Sequence, residues 1–188
     1  YSGRSSAAEA LEKLERQGNL DDQALEIQGQ LLMTQQRWED AKETFKELQL
    51  RQPESVSPSL NLGFIALAQG DFETHQKHME EVLKKEPQNS LALLSLGNQF
   101  YFQGKQEEAR VYFQKVIESK EPLAGGYVGL ARLEKTKENW EEVQELLSQA
   151  WELDSQDPEI AYELAGAFRA QEKYPQALKQ YDLAIELD

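Results

Sequence analysis

Apolar residues recur along this chain at helical spacing, and the whole arrangement repeats every 34 residues. One repeat carries Leu96 and Gly97, then a break at Gly104, and then the large apolar residues Phe113 and Val116. Shifting the window by 34 residues in either direction returns a closely similar order of residue types. A period of this length predicts an array of stacked helical units.

Two columns of the repeat hold small residues. The first is Gly29, Gly63, Gly97, Ala131 and Ala165, and the second is Ala7, Ala41, His75, Ala109, Val143 and Ala177. Large apolar residues follow four positions after the second column, at Leu11, Phe45, Met79, Phe113, Leu147 and Tyr181. Where two helices approach closely, only small residues leave room for the facing backbone, so each repeat is predicted to be a pair of antiparallel helices. One pair cannot bury its apolar face alone, so neighbouring pairs must stack.

A turn is predicted in the middle of each repeat. An aromatic residue recurs beside it at Trp38, Phe72, Trp140 and Tyr174. Gly70 and Gly104 occupy a turn position that suits a left-handed backbone, which glycine adopts without steric cost. The same position holds Gln36, Glu138 and Glu172 in other repeats. We therefore expect non-glycine residues to adopt the left-handed conformation there, at some cost in free energy.

In its period, small residues, turn aromatics and closing alanines (Ala150 and Ala184), the chain resembles the tetratricopeptide repeat (TPR) family. The resemblance covers nearly the whole chain. It implies an all-α fold, a right-handed α-solenoid of stacked helix-turn-helix hairpins with about 11 helices. Pro53 and Pro87 stand where the family places its end-of-repeat proline, whereas the next two repeats depart slightly from that position.

We divide the chain into a lead-in with the second helix of a partial repeat, followed by five repeats that together form one TPR domain. The lead-in is 1–21, and the repeats are 22–55, 56–89, 90–123, 124–157 and 158–188, the last truncated at its C-terminal edge. A helix over about 7–17 is predicted inside the lead-in, with Ser5 or Ser6 as its N-cap.

Both ends lack the polar capping element with which such arrays normally finish. We therefore expect that the array continues past Asp188 or that this end pairs with another chain. The candidate self-association residues are Leu178, Tyr181, Ile185 and Leu187.

The charge and composition exclude several classes of function. A net charge of −14 over 188 residues disfavours nucleic acid as a partner, because binding phosphates needs a basic surface. No run of about 18 apolar residues exists, so we expect no direct insertion into a membrane. We expect a soluble protein of cytoplasmic or periplasmic location. Because the chain begins at Tyr1, the sequence leaves open whether a leader or anchor has been removed.

The sequence predicts neither an enzyme nor a cofactor or metal site. The chain contains no cysteine, and it carries no glycine-rich phosphate loop. His75 and His78 share one helix turn, but no third ligand follows at a matching spacing, so we expect packing and not metal binding. We expect His75 either to widen the helix spacing or to rotate outward, because it replaces a small residue.

The resemblance implies that the first helix of each repeat lines a concave groove that binds partners. The predicted groove residues are Leu60, Asn61, Phe64, Leu67, Leu94, Asn98, Tyr101, Phe102, Val128, Arg132, Lys135, Tyr162 and Arg169. The central members are apolar and aromatic, which is typical of an interaction surface. The alternative, that some groove positions belong to the core, remains open at this point for Leu94 and Phe102 and for the neighbouring groove position Leu91.

Charged groove positions refine the expected partner. Arg132, Lys135 and Arg169 are predicted to form a basic cluster that accepts an acidic side chain or a terminal carboxylate. Some family members bind acidic C-termini through a Lys at the fifth position and an Asn at the ninth. The fifth positions here are Glu26, Leu60, Leu94, Val128 and Tyr162. None is basic, so that specific clamp is absent.

These observations predict a non-catalytic scaffold that binds a peptide segment or an amphipathic helix of another protein in its groove. One alternative is a module that self-associates through its open repeat ends. Another is the arm of a larger enzyme, in which the array selects the substrate protein.

Overall fold

The computed structural model describes residues 21–188, and this part of the chain is all-α, without a β-strand. Its helices are α1 (Asp22–Thr34), α2 (Trp38–Arg51), α3 (Ser57–Ala68), α4 (Phe72–Lys85), α5 (Ser90–Phe102), α6 (Gln106–Ile117), α7 (Ala124–Lys135), α8 (Trp140–Leu153), α9 (Pro158–Ala170) and α10 (Tyr174–Leu187). This confirms the predicted fold class, and the helix count is close to the expected one. The helix predicted over 7–17 and its cap lie outside the described residues.

Each odd-numbered helix packs against the even-numbered helix that follows it. The chain divides into two compact units, 1–87 and 88–188. The first unit contains α1 to α4, and α2 also packs on α3 within it. The second contains α5 to α10, where α6 packs on α7 and α8 on α9.

The turns inside the hairpins have the predicted backbone conformation. Gln36, Glu138 and Glu172 adopt φ angles of 58°, 58° and 60°, and Gly70 and Gly104 adopt 76° and 73°. The aromatic column also has a definite place, because Trp38, Phe72, Trp140 and Tyr174 are the first residues of α2, α4, α8 and α10. The turn prediction is therefore confirmed, including the three positions that lack glycine.

A close approach between helices sets the core of the first unit. Phe45 of α2 is fully buried in a cluster that includes Leu25 of α1 and Ile65 of α3. A Cβ atom at Gly29 would lie 2.5 Å from Cζ of Phe45, so the aromatic ring occupies the space that the glycine leaves. His75 of α4 is also fully buried, which shows that the expected outward rotation is wrong.

The second unit repeats this packing around Phe113 of α6. The ring is buried between Gly97 of α5 and Gly129 of α7. A Cβ atom at Gly97 would lie 2.7 Å from the ring, and one at Gly129 would lie 2.5 Å from it. Both distances are far shorter than a normal contact, so this arrangement requires glycine on both sides of the ring.

An ion pair reinforces the contact between α6 and α7. Oε1 of Glu134, a buried residue of α7, lies 2.7 Å from Nη2 of Arg110 and 3.3 Å from Nζ of Lys137. Burial alone raises the pKa of Glu134, but hydrogen bonds and charge from Arg110 and Lys137 outweigh it, and the pKa falls below its ordinary value of 4.5. The carboxylate is therefore stabilised in its charged form.

Two kinds of feature are missing from residues 21–188. None of the helices there is long and apolar enough to cross a membrane. No group of three or more histidine and acidic side chains is placed to hold a metal ion in that range.

Replacing Gly97 by alanine tests the close approach at Phe113. We expect Gly97→Ala to lower the free energy of unfolding by about 1–2 kcal/mol, because overpacking against the ring exceeds the gain in helix propensity. Gly166→Ala is the matched control, since a Cβ atom there would meet nothing within 4 Å. That substitution should stabilise the protein by about 0.5–1 kcal/mol. Urea unfolding measures both, and equal effects of the two substitutions would contradict the packing described.

Replacing Glu134 by glutamine tests the ion pair. At neutral pH we expect Glu134→Gln to lower the free energy of unfolding by about 1–2 kcal/mol, and Glu141→Gln, at an exposed site on α8, to leave it nearly unchanged. The pKa of Glu134 is lower in the folded protein than its ordinary value. The charged carboxylate therefore contributes its full stabilisation of the fold above the ordinary pKa. This stabilisation is lost as the pH falls through the pKa of the folded protein. The difference between wild type and Glu134→Gln should therefore shrink below about pH 4.5. A difference that stays constant from pH 7 to pH 3 in urea unfolding would show that the charge is not responsible.

Candidate functional site

An apolar stripe lies along one side of α5. Leu91, Asn98 and Phe102 are spaced by seven and four residues, which places them on one face of a helix. Leu91 is 51% exposed and Phe102 is 78% exposed, so both apolar side chains remain open to solvent. Hereafter these three residues are called the α5 stripe.

Two further predicted residues flank the stripe. The ring of Tyr101 contacts the ring of Phe102 edge to face, with centroids 5.6 Å apart and an interplanar angle of 73°. Leu94 is half-buried and lies against α7, where a Cβ atom at Gly125 would come within 2.8 Å of its Cδ2. The structure thus places Phe102 on the surface and holds Leu94 partly in the contact between α5 and α7.

A cavity of about 130 Å³ opens beside the α5 stripe. It is lined by Asn98 of α5, by Gly125, Val128 and Arg132 of α7, and by Asp157, Glu159 and Ile160 at the start of α9. The structure therefore brings together three predicted groove residues, Asn98, Val128 and Arg132, from neighbouring first helices. Val128 is only 8% exposed, so it forms part of the apolar floor.

Two carboxylates of α9 hold the guanidinium of Arg132. Nε of Arg132 donates a hydrogen bond of 2.9 Å to Oε1 of Glu163, and Nη2 donates to Oε1 of Glu159. Lys135 reaches the other oxygen of Glu163 at 3.4 Å. Burial lowers the pKa of Arg132, but the hydrogen bonds and charges of Glu163 and Glu159 outweigh this effect and raise it above its ordinary value.

The three residues of the predicted basic cluster do not share one environment, and their role in binding an acidic group stays a prediction. Arg132 and Lys135 are already paired with carboxylates of this chain, so a partner's acidic group would compete with Glu159 and Glu163 for them. Arg169 is exposed and has no ion pair within residues 21–188. Arg169 lies near the C-terminal end of α9, and it is the only one of the three without an ion pair in this part of the chain.

The predicted groove residues of α3 are less exposed than expected. Leu60 is only 9% exposed, which places it in the core. Phe64 and Leu67 are half-buried. Asn61 donates a hydrogen bond of 2.9 Å from its amide to the backbone oxygen of Ser57, so part of its hydrogen-bonding capacity is used within the helix.

The predicted self-association residues lie on α10. Leu178 and Ile185 are exposed, whereas Tyr181 and Leu187 are half-buried. The ring of Tyr181 contacts that of Tyr162, an exposed residue of α9, with centroids 5.5 Å apart. Self-association through this helix stays a prediction.

Sequence reasoning missed several residues that shape the cavity. Gly125 lines the cavity and leaves room for the side chain of Leu94, and Asp157 contributes a carboxyl group at the N-terminus of α9. The sequence spacing could have predicted the pairing of Arg132 with Glu163, because residues 31 positions apart lie on neighbouring first helices. The hydrogen bond from Ser57 to Glu26, in the first unit, has the same separation.

Comparison with known sequences identifies the repeat. The family model described as tetratricopeptide repeat matches residues 2–56, 28–74, 60–124 and 128–188. A search of curated protein sequences finds no significant match.

Several solved structures share the fold of this chain. PilF of Pseudomonas aeruginosa is 17% identical with a TM-score of 0.78, over 99% of this chain and 78% of that one. MamA of Desulfovibrio magneticus RS-1 is 18% identical with a TM-score of 0.65, over 88% of this chain and 94% of that one. A chain of the Cut9–Hcn1 hetero-tetramer is 13% identical with a TM-score of 0.80, over 98% of this chain and 37% of that one.

With family-model matches along almost its entire length, the chain belongs to the tetratricopeptide repeat family.

Proposed function

We propose that this chain is a non-catalytic scaffold that binds an apolar or amphipathic segment of a partner protein along its first helices. Tetratricopeptide repeats generally act as protein-interaction scaffolds, and the family assignment supports that class of function. The observation that carries the finer proposal is the α5 stripe, with Leu91 and Phe102 half or more exposed. Exposed apolar side chains that share one face of a first helix support a binding role for that face.

The chemistry of the stripe suits a peptide. Fully burying a leucine or phenylalanine side chain is worth roughly 1.5–3 kcal/mol each, before the cost of association is subtracted. Asn98 lies between Leu91 and Phe102, and its side-chain amide makes no hydrogen bond to any residue in the described range. Its amide group can both donate to and accept from the backbone of a bound segment. The stripe therefore offers two apolar anchors with a polar group between them.

A charge on the stripe should abolish binding. We expect Phe102→Glu to lose partners that wild type captures from a lysate of the source organism, because a carboxylate there would be desolvated on binding. Since Phe102 is 78% exposed, the substitution should leave the unfolding midpoint nearly unchanged. Quantitative mass spectrometry of the captured proteins measures the loss.

Val111→Glu is the matched control. Val111 is 52% exposed and lies on α6, a second helix, in the same unit as Phe102. The control should capture the same partners as wild type. If Phe102→Glu and Val111→Glu retain or lose the same proteins to the same extent, the α5 stripe is not the binding surface.

A further inference from the structure

We propose that the partner segment carries a lysine or arginine that enters the cavity beside the α5 stripe while its apolar side chains cover the stripe. This inference rests on the proposed function and adds the charge of the partner. It reverses the sequence-based expectation of an acidic group.

The cations at the cavity are already paired with carboxylates of this chain. Arg132 uses Nε on Glu163 and Nη2 on Glu159, and Lys135 lies at 3.4 Å from Glu163. Glu159 and Glu163 thus pair with the two cations, and Asp157 adds a third carboxyl group to the lining of the cavity. An acidic group brought here would meet an excess of negative charge.

Two carboxylate oxygens at the cavity remain available as acceptors. Asp157 accepts the backbone N–H of Glu159 at 2.8 Å through Oδ1, and Glu159 accepts from Arg132 through Oε1. Within residues 21–188, Oδ2 of Asp157 and Oε2 of Glu159 accept no hydrogen bond. An ammonium or guanidinium group supplies the donors that such oxygens bind most strongly.

The walls of the cavity also fit a long basic side chain. Val128 and Ile160 are buried apolar residues of its lining. Lysine and arginine have an aliphatic stem that packs on apolar surface while the charged end reaches polar groups. A volume of about 130 Å³ accommodates one such side chain, and Asn98 connects the cavity directly to the α5 stripe.

The net charge of the whole chain also favours a basic partner segment. A net charge of −14 attracts basic segments at long range and repels acidic ones. The apolar stripe would then fix the register of a segment that the charge had attracted.

A peptide-display selection tests the proposal without knowledge of the natural partner. A random 12-residue library is selected on the full chain, and the enriched peptides are sequenced. We expect an apolar or aromatic residue at a fixed distance from a lysine or arginine. A synthetic peptide of the enriched sequence then gives the dissociation constant, and replacing its basic residue by norleucine or glutamate should weaken binding by about tenfold or more.

Variants of the protein test whether the basic residue of the peptide binds in the cavity. The double substitution Asp157→Asn/Glu159→Gln should weaken the affinity for the basic peptide by about tenfold. The affinity for the norleucine peptide should stay nearly unchanged. Asparagine remains a good N-cap for α9. The control Glu141→Gln/Glu142→Gln removes the same net charge from exposed positions on α8, so it should change the affinity by less than about threefold.

The outcomes separate the two proposals. The basic-residue proposal is overturned if the selected peptides are enriched in acidic residues. It is also overturned if Asp157→Asn/Glu159→Gln and Glu141→Gln/Glu142→Gln weaken peptide affinity equally. In both cases the stripe remains a binding surface. If Phe102→Glu binds the enriched peptides as well as wild type does, the proposed function itself fails.

Discussion

The ring of Phe113 fills the space between two helices that can approach it only because they carry glycine. Gly97 of α5 lies on one side and Gly129 of α7 on the other. Gly29 and Phe45 form the equivalent contact in the first unit. This constraint fixes how α5 and α7 sit on α6, and it thereby decides which side chains of the first helices remain on the surface. The α5 stripe is exposed because the opposite side of the same helix is used for this packing.

The backbone features were predictable because they recur with the repeat. A left-handed turn at Gln36 follows from the glycine at the equivalent position of the next repeat, and the small-residue column follows from the close approach of helices. The surface features were less predictable, because they depend on side chains from two helices at once. Leu60 and Phe102 both occupy groove positions, yet one is in the core and the other is exposed.

Arg132 illustrates the same difficulty for charge. Its residue type alone indicates a site for an acidic partner, but the sequence pattern did not reveal that Glu159 and Glu163 of the neighbouring first helix pair with it. The result is a cavity with an apolar floor and an acidic rim next to an exposed apolar stripe. In a strongly acidic protein, we propose that these two surfaces together select the charge and the hydrophobicity of a binding segment.

The central claim is that partners bind on the side of α5 that carries the stripe. Photo-crosslinking tests it most directly, with p-benzoylphenylalanine introduced in place of Phe102 or, separately, in place of Val111 on α6. Irradiation in a lysate of the source organism should give a covalent adduct from position 102 that is absent from position 111. Adducts from position 111 without adducts from position 102 would contradict the account and move the binding surface to the second helices.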